Sequence, residues 1–175
     1  MSDFKSSLIR RLRVKSREVS LELEETRAIY TIASSEFCQA LSSYCRANEI
    51  PNPLDELEQE EEELDDIGTE FKALFRKIAV ATHPDKLSSE EGRPKLEKAV
   101  KAKKENKPVN LISIASDLKI KTDELSYESI AYLESSILKS EEEIDNIHNS
   151  YPWVWHYAPT NKKDTILDLF INKQV

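Results

Sequence analysis

His83, Pro84 and Asp85 stand together at the end of an amphipathic segment, and their chemistry suits them to grip another protein. The His83 ring can donate and accept hydrogen bonds, and the Asp85 carboxylate can pair with an arginine through two parallel bonds. Pro84 stiffens the turn between them and removes one backbone donor. Lys72, Arg76 and Lys77 precede the tripeptide and Lys86 follows it, charges that would steer encounter with an acidic surface. The plain alternative is a helix-ending turn capped by Asp85, beside a solvated basic face. Chemistry of turnover is not legible: no Gly-rich phosphate loop, nucleophile motif or paired catalytic carboxylates appear. His83, His148 and His156 lack a common ligand spacing, and Cys38 and Cys45 lie on another element, so neither a metal nor another cofactor is expected.

The element that must present the tripeptide is an amphipathic helix within the stretch 69–84. Phe71, Leu74, Phe75, Ile78, Ala79 and Thr82 form its apolar face, with Lys72, Arg76 and Lys77 opposite. It has to end before Pro84, whose ring disfavours helical geometry at His83. The run Leu74-Phe75-Arg76-Lys77-Ile78-Ala79-Val80-Ala81-Thr82-His83-Pro84-Asp85-Lys86 resembles the second helix and signature loop of J-domains, the DnaJ family. That pattern is an aromatic, two basic residues, an aliphatic and an alanine, with His-Pro-Asp about four residues later. Phe75, Arg76, Lys77, Ile78, Ala79 and His83-Pro84-Asp85 fill it in register. Downstream, Leu96, Ala99, Ala102, Asn106 and the apolar run Leu111-Ile112-Ser113-Ile114-Ala115 fall at the spacing of the third helix, turn and short helix of bacterial and phage members. Ser150-Tyr151-Pro152-Trp153-Val154-Trp155 is also similar to the ends of such proteins.

The resemblance covers residues 69–120, less than a third of the chain. It departs from the family in several places. The usual first helix, with its tyrosine pair, is not recognisable, and Lys103 stands where an aromatic is common. Gly92 and Pro94 are expected to shorten the third helix to residues 94–107. A Gly/Phe-rich linker and a repeated Cys-x-x-Cys zinc module are both missing from the sequence. The resemblance therefore implies a specialised co-chaperone that recruits a DnaK-type chaperone and stimulates its ATPase through His83-Pro84-Asp85, while performing no catalysis itself. Lys72, Arg76, Lys77 and Lys86 would assist docking, and the helical flanks would choose the client protein. The alternative is a structural or assembly protein whose J-like helices serve only as a packing unit.

Composition points the same way for fold. The 175 residues include two glycines, and 33% are charged, which suits long polar-faced helices better than strands and tight turns. An all-α fold is expected. The net charge of −8 argues against general nucleic-acid binding, which needs surplus Lys and Arg to neutralise phosphates. Cys38 and Cys45, seven residues apart, are expected as two small buried groups in a reducing compartment. Neither a secretory leader nor a membrane-spanning run is legible, so a cytoplasmic location is expected.

Four segments follow from the pattern: residues 1–50, 51–68, 69–121 and 122–175. The first is a long helix whose seam runs Ile9, Leu12, Ser16, Val19, Leu23, Thr26, Tyr30, Ala33, Phe37, Ala40, Tyr44. The second carries nine acids and no base over residues 55–66, read as a linker or solvated helix placed where it can compete for the basic face. The fourth is a long helix capped near Thr122 or Asp123, with the seam Ile130, Leu133, Ile137, Ser140, Ile144, Ile147, Tyr151, followed by a tryptophan-containing tail and a helix over 163–172. The two seams predict an antiparallel coiled coil within one chain carrying the J-like helical hairpin, so a monomer. Self-pairing of either seam would give a dimer instead.

Overall fold

Helix α1, Ser2–Ala47, runs 46 residues without interruption because nothing in it breaks a helix and an apolar stripe faces inward throughout. A computed structural model describes residues 2–56, 67–122 and 125–174 of the chain. Most of the acidic run and the capping candidate Asp123 therefore lie outside the described residues. Those described are all helical apart from turns and loops, as expected. After α1 come a 3-10 turn at Pro53–Glu56, then α2 (Thr69–Ala81), α3 (Ser89–Lys104), α4 (Pro108–Asp117), α5 (Tyr127–His148), α6 (Tyr151–Tyr157) and α7 (Thr160–Gln174).

The α1 seam keeps its heptad spacing from Ile9 to Ala33 and then changes step. Ala33, Phe37, Leu41 and Cys45 are fully buried at intervals of four, while Ala40 and Tyr44 are only half-buried. A straight helix drifts against a seven-residue repeat, and steps of four carry its buried stripe around the axis. Cys38 consequently points to solvent, and only Cys45 is the buried thiol expected of both. Three helices end in left-handed turns built without glycine. Glu49, Asn106 and Lys119 take φ of 55°, 54° and 55°, and the amides of Ile50, Lys107 and Ile120 reach back to the carbonyls of Cys45, Ala102 and Ala115.

The chain divides into two compact units. The first comprises Met1–Glu22 and Glu63–Glu141. Here α2, α3 and α4 pack on one another. The core is Ile9, Leu12, Phe71, Leu74, Ile78, Ala99, Ala102, Val109, Leu111, Ile112, Ala115, Leu125, Ile130, Leu133 and Ile137. Polar side chains fasten α1 to the rest: Arg13 donates to the Thr122 hydroxyl, Arg17 pairs with Asp117 at 3.1 Å, and the Ser20 hydroxyl donates to Asn110. Lys5 sits 5.2 Å above the Tyr127 ring and Lys15 pairs with Glu141 at 2.9 Å. The two contacts ascend together, so α1 and α5 run parallel, which corrects the antiparallel expectation. Heptad seams do not encode direction, because the same spacing serves parallel and antiparallel partners.

Two further expectations change here. Helix α3 starts at Ser89, not residue 94, and contains both Gly92 and Pro94. Pro94, the sixth residue of α3, forgoes the bond an amide there would make to the Glu90 carbonyl and crowds that carbonyl, yet the helix continues past it to Lys104. Thr122 does not cap α5, since its hydroxyl is taken by Arg13. Ser126 does, accepting from the Ser129 amide at 3.1 Å, while its own amide donates to the Glu70 carboxylate at 2.9 Å. Burial pushes the Glu70 carboxyl up, but hydrogen bonds from Ser129 and Ser126 outweigh it and hold the group below its ordinary 4.5. A depressed carboxyl stabilises the fold above its unfolded pKa and loses that contribution as pH falls through the folded one. Glu70→Gln is therefore expected to be less stable than wild type at neutral pH, with the gap closing below 4.5 in urea titrations run over a pH series. A gap that stays constant with pH would mean that the carboxylate charge plays no part.

The second unit comprises Leu23–Glu62 and Glu142–Val175. Its core is Phe37, Leu41, Cys45, Trp155, Leu167 and Ile171, flanked by Tyr151 and Phe170. The Phe37 ring meets Trp155 and Phe170 edge-on at 5.9 and 5.3 Å. Arg27 pairs with Glu143, Glu36 with His156 at 2.9 Å, and the Tyr44 hydroxyl donates to Asp168 at 2.6 Å. The tail is two helices, not one, because Ser150 starts a new one at Tyr151 by accepting from the Trp153 amide.

Candidate functional site

Gly68, at φ 81°, turns the chain into α2, a backbone conformation that L side chains rarely adopt. Phe71, Leu74 and Ile78 then point inward, while Arg76, Lys77 and Val80 are exposed and Lys72 is half-buried. The helix ends at Thr82. Its amide bonds to the Ile78 carbonyl at 2.9 Å, and its buried hydroxyl donates to the carbonyls of Ile78 at 2.9 Å and Ala79 at 3.3 Å. Thr82 thus satisfies two of the carbonyls that a helix end leaves open.

His83, Pro84 and Asp85 follow, all exposed. The His83 carbonyl accepts the amides of Lys86 at 2.8 Å and Leu87 at 3.1 Å, which folds the loop back on itself. Across the turn, His83 Nδ1 lies 3.3 Å from Asp85 Oδ2 and accepts from the Asp85 amide at 3.4 Å. The Asp85 side chain remains 86% exposed. An exposed contact of this kind contributes little to stability, and the carboxylate keeps room for an incoming donor.

The sequence-derived residues are only partly gathered. Arg76, Lys77 and Lys86 line one shallow depression with Val80 and Ala81. Lys72 is outside it, four residues back along α2. Sequence reading missed Val80, an aliphatic side chain 57% exposed amid the cations. Its signal was available: it stands four residues after Arg76, away from the Phe71–Leu74–Ile78 stripe.

Helix α3 runs antiparallel to α2, since Gly92 lies against Thr82 and the Lys103 ammonium sits 4.8 Å above the Phe75 ring. Lys103, where the resembling family often has an aromatic, thus supplies a cation–π contact to the same neighbouring helix. Among the described residues no cluster of His, Cys, Asp or Glu could hold a metal ion, and no helix is long and apolar enough to cross a membrane. Comparison with known proteins finds no matching family model, no similar curated protein and no similar solved structure.

Proposed function

We propose that this chain is a J-domain-type co-chaperone that recruits a DnaK-type chaperone and stimulates its ATPase through His83-Pro84-Asp85. One observation carries the reading: the tripeptide stands exposed at the end of α2, held by its own backbone hydrogen bonds, beside a depression lined by Arg76, Lys77 and Lys86. The Asp85 carboxylate pairs with an arginine of the chaperone, a charge-assisted and geometrically specific bond. The cations, with Lys72 on the adjoining turn, meet an acidic surface and raise the association rate. Val80 adds an apolar contact at their centre.

Hydrolysis takes place in the partner, so this chain contributes binding and not a reacting group. Such a partner places the protein in the cytoplasm, and the remaining helical faces select the client. The test is the steady-state ATPase of a purified DnaK-type chaperone titrated with this chain. A saturable rise in turnover is the expected result. A flat titration would leave α2, α3 and α4 as a packing unit in a structural or assembly protein.

A further inference from the structure

We propose that Gly92 is the positioning residue of the His83-Pro84-Asp85 loop, its missing side chain letting the first turns of α3 press on the Thr82 carbonyl from which the loop departs. The consequence for activity rests on the function proposed above, whereas the geometry does not. The chain has two glycines. Gly68 is required by its positive φ. Gly92 has no such requirement, for it lies inside α3 and is buried, and helix interiors disfavour glycine. Its reason is tertiary. A Cβ on Gly92 would stand 2.6 Å from the Thr82 carbonyl oxygen, 3.4 Å from the carbonyl carbon and 3.6 Å from Leu87 Cβ.

The obstacle is main chain and cannot rotate aside. Thr82 is held by its amide and hydroxyl bonds to the end of α2, and Leu87, on the far side of the loop, is tied to the His83 carbonyl. A methyl group at position 92 must therefore move α3 or the loop. Because only Lys86, Leu87 and Ser88 separate Asp85 from α3, either movement carries the Asp85 carboxylate away from its place relative to Arg76 and Lys77 on α2. Docking that combines a directional carboxylate bond with a charged face depends on that relative placement.

The test compares Gly92→Ala with Ala102→Val. The latter overpacks a buried position of the same helix ten residues from the loop contact. In the chain alone, Gly92→Ala is expected to move the NMR resonances of residues 82–87 and of the His83 ring, whereas Ala102→Val leaves them in place. With a DnaK-type chaperone, at a temperature where both variants are folded, Gly92→Ala is expected to raise the half-saturating concentration about tenfold or more. Ala102→Val should stay within about twofold, as an effect confined to stability would. Thr82→Ala removes the hydroxyl bonds that tie Thr82 to the Ile78 and Ala79 carbonyls without adding a methyl at position 92, and is expected to move the resonances of residues 83–87 less. The proposal is overturned if Gly92→Ala disturbs residues 82–87 no more than Ala102→Val does. It is overturned equally if wild type stimulates and Gly92→Ala matches its half-saturation. Should wild type fail to stimulate, the functional reading falls, and the resonances still decide whether Gly92 positions the loop.

Discussion

Asp85→Asn and His83→Gln are each expected to lower the stimulation of a DnaK-type ATPase by about ten- to hundredfold while the chain stays folded. The magnitude follows from the bond at stake. A hydrogen bond to a charged group contributes about 1.5–3 kcal/mol, and every 1.4 kcal/mol is about a factor of ten in affinity. Asparagine keeps the shape of Asp85 but cannot offer an arginine two equivalent charged acceptors. His83→Gln removes the ring nitrogen that accepts the Asp85 amide and the exposed imidazole that the partner would meet beside the carboxylate. Neither change should cost more than about 0.5 kcal/mol of stability, because both side chains are solvent-exposed. Titrations of chaperone ATPase with each variant, alongside thermal melts, make the comparison. Variants that match a stimulating wild type would refute the role of the loop.

Ile137→Asp is expected to unfold the chain or bring it close to unfolding. Ile137 is 2% exposed in the core of the first unit. Losing its burial costs about 1.5–3 kcal/mol, and burying an unpaired carboxylate adds several more. The sum approaches the whole stability of a typical domain, about 5–15 kcal/mol. The neighbouring Leu138 is 57% exposed, so Leu138→Asp should stay within about 0.5 kcal/mol of wild type. Leu23→Asp, at a position 3% exposed in the second unit, repeats the test on α1. Urea unfolding midpoints separate the cases, and equal midpoints for the Ile137 and Leu138 variants would mean that the buried stripe is wrongly placed.

The contrast between adjacent residues shows what periodicity can and cannot reveal. Spacing identified Ile130, Leu133, Ile137 and Ile144 as buried, and Ile9, Leu12, Ser16, Val19, Leu23, Thr26 and Ala33 likewise, because one helix face must pack, whereas Tyr30, Ser140, Ile147 and Tyr151 are only half-buried. Direction was not legible, since a seam reads the same for parallel and antiparallel partners. The stripe's shift from Tyr44 to Leu41 and Cys45 arises from the α6 and α7 side chains packed on it, Trp155, Leu167 and Ile171. The N-cap of α5 passed from Thr122 to Ser126 because Arg13, distant in sequence, claims the Thr122 hydroxyl.

At the candidate site the same division holds. Pro84 forces the helix to end, so the exposed position of His83, Pro84 and Asp85 could be read from residue types alone. Gly92 resembled a helix breaker because its constraint, the Thr82 carbonyl, belongs to another helix. Val80 was left out of the apolar face and equally out of the docking set, because an aliphatic side chain among cations carries no charge to mark it, and the structure leaves it 57% exposed.

Single-turnover hydrolysis of ATP already bound to a DnaK-type chaperone tests the central claim most directly, because it isolates the chemical step from nucleotide exchange. The wild-type chain is expected to accelerate that step in a saturable manner, with Asp85→Asn at the same concentration leaving the rate near that of the chaperone alone. A hydrolysis rate unchanged by saturating wild-type protein would contradict the account.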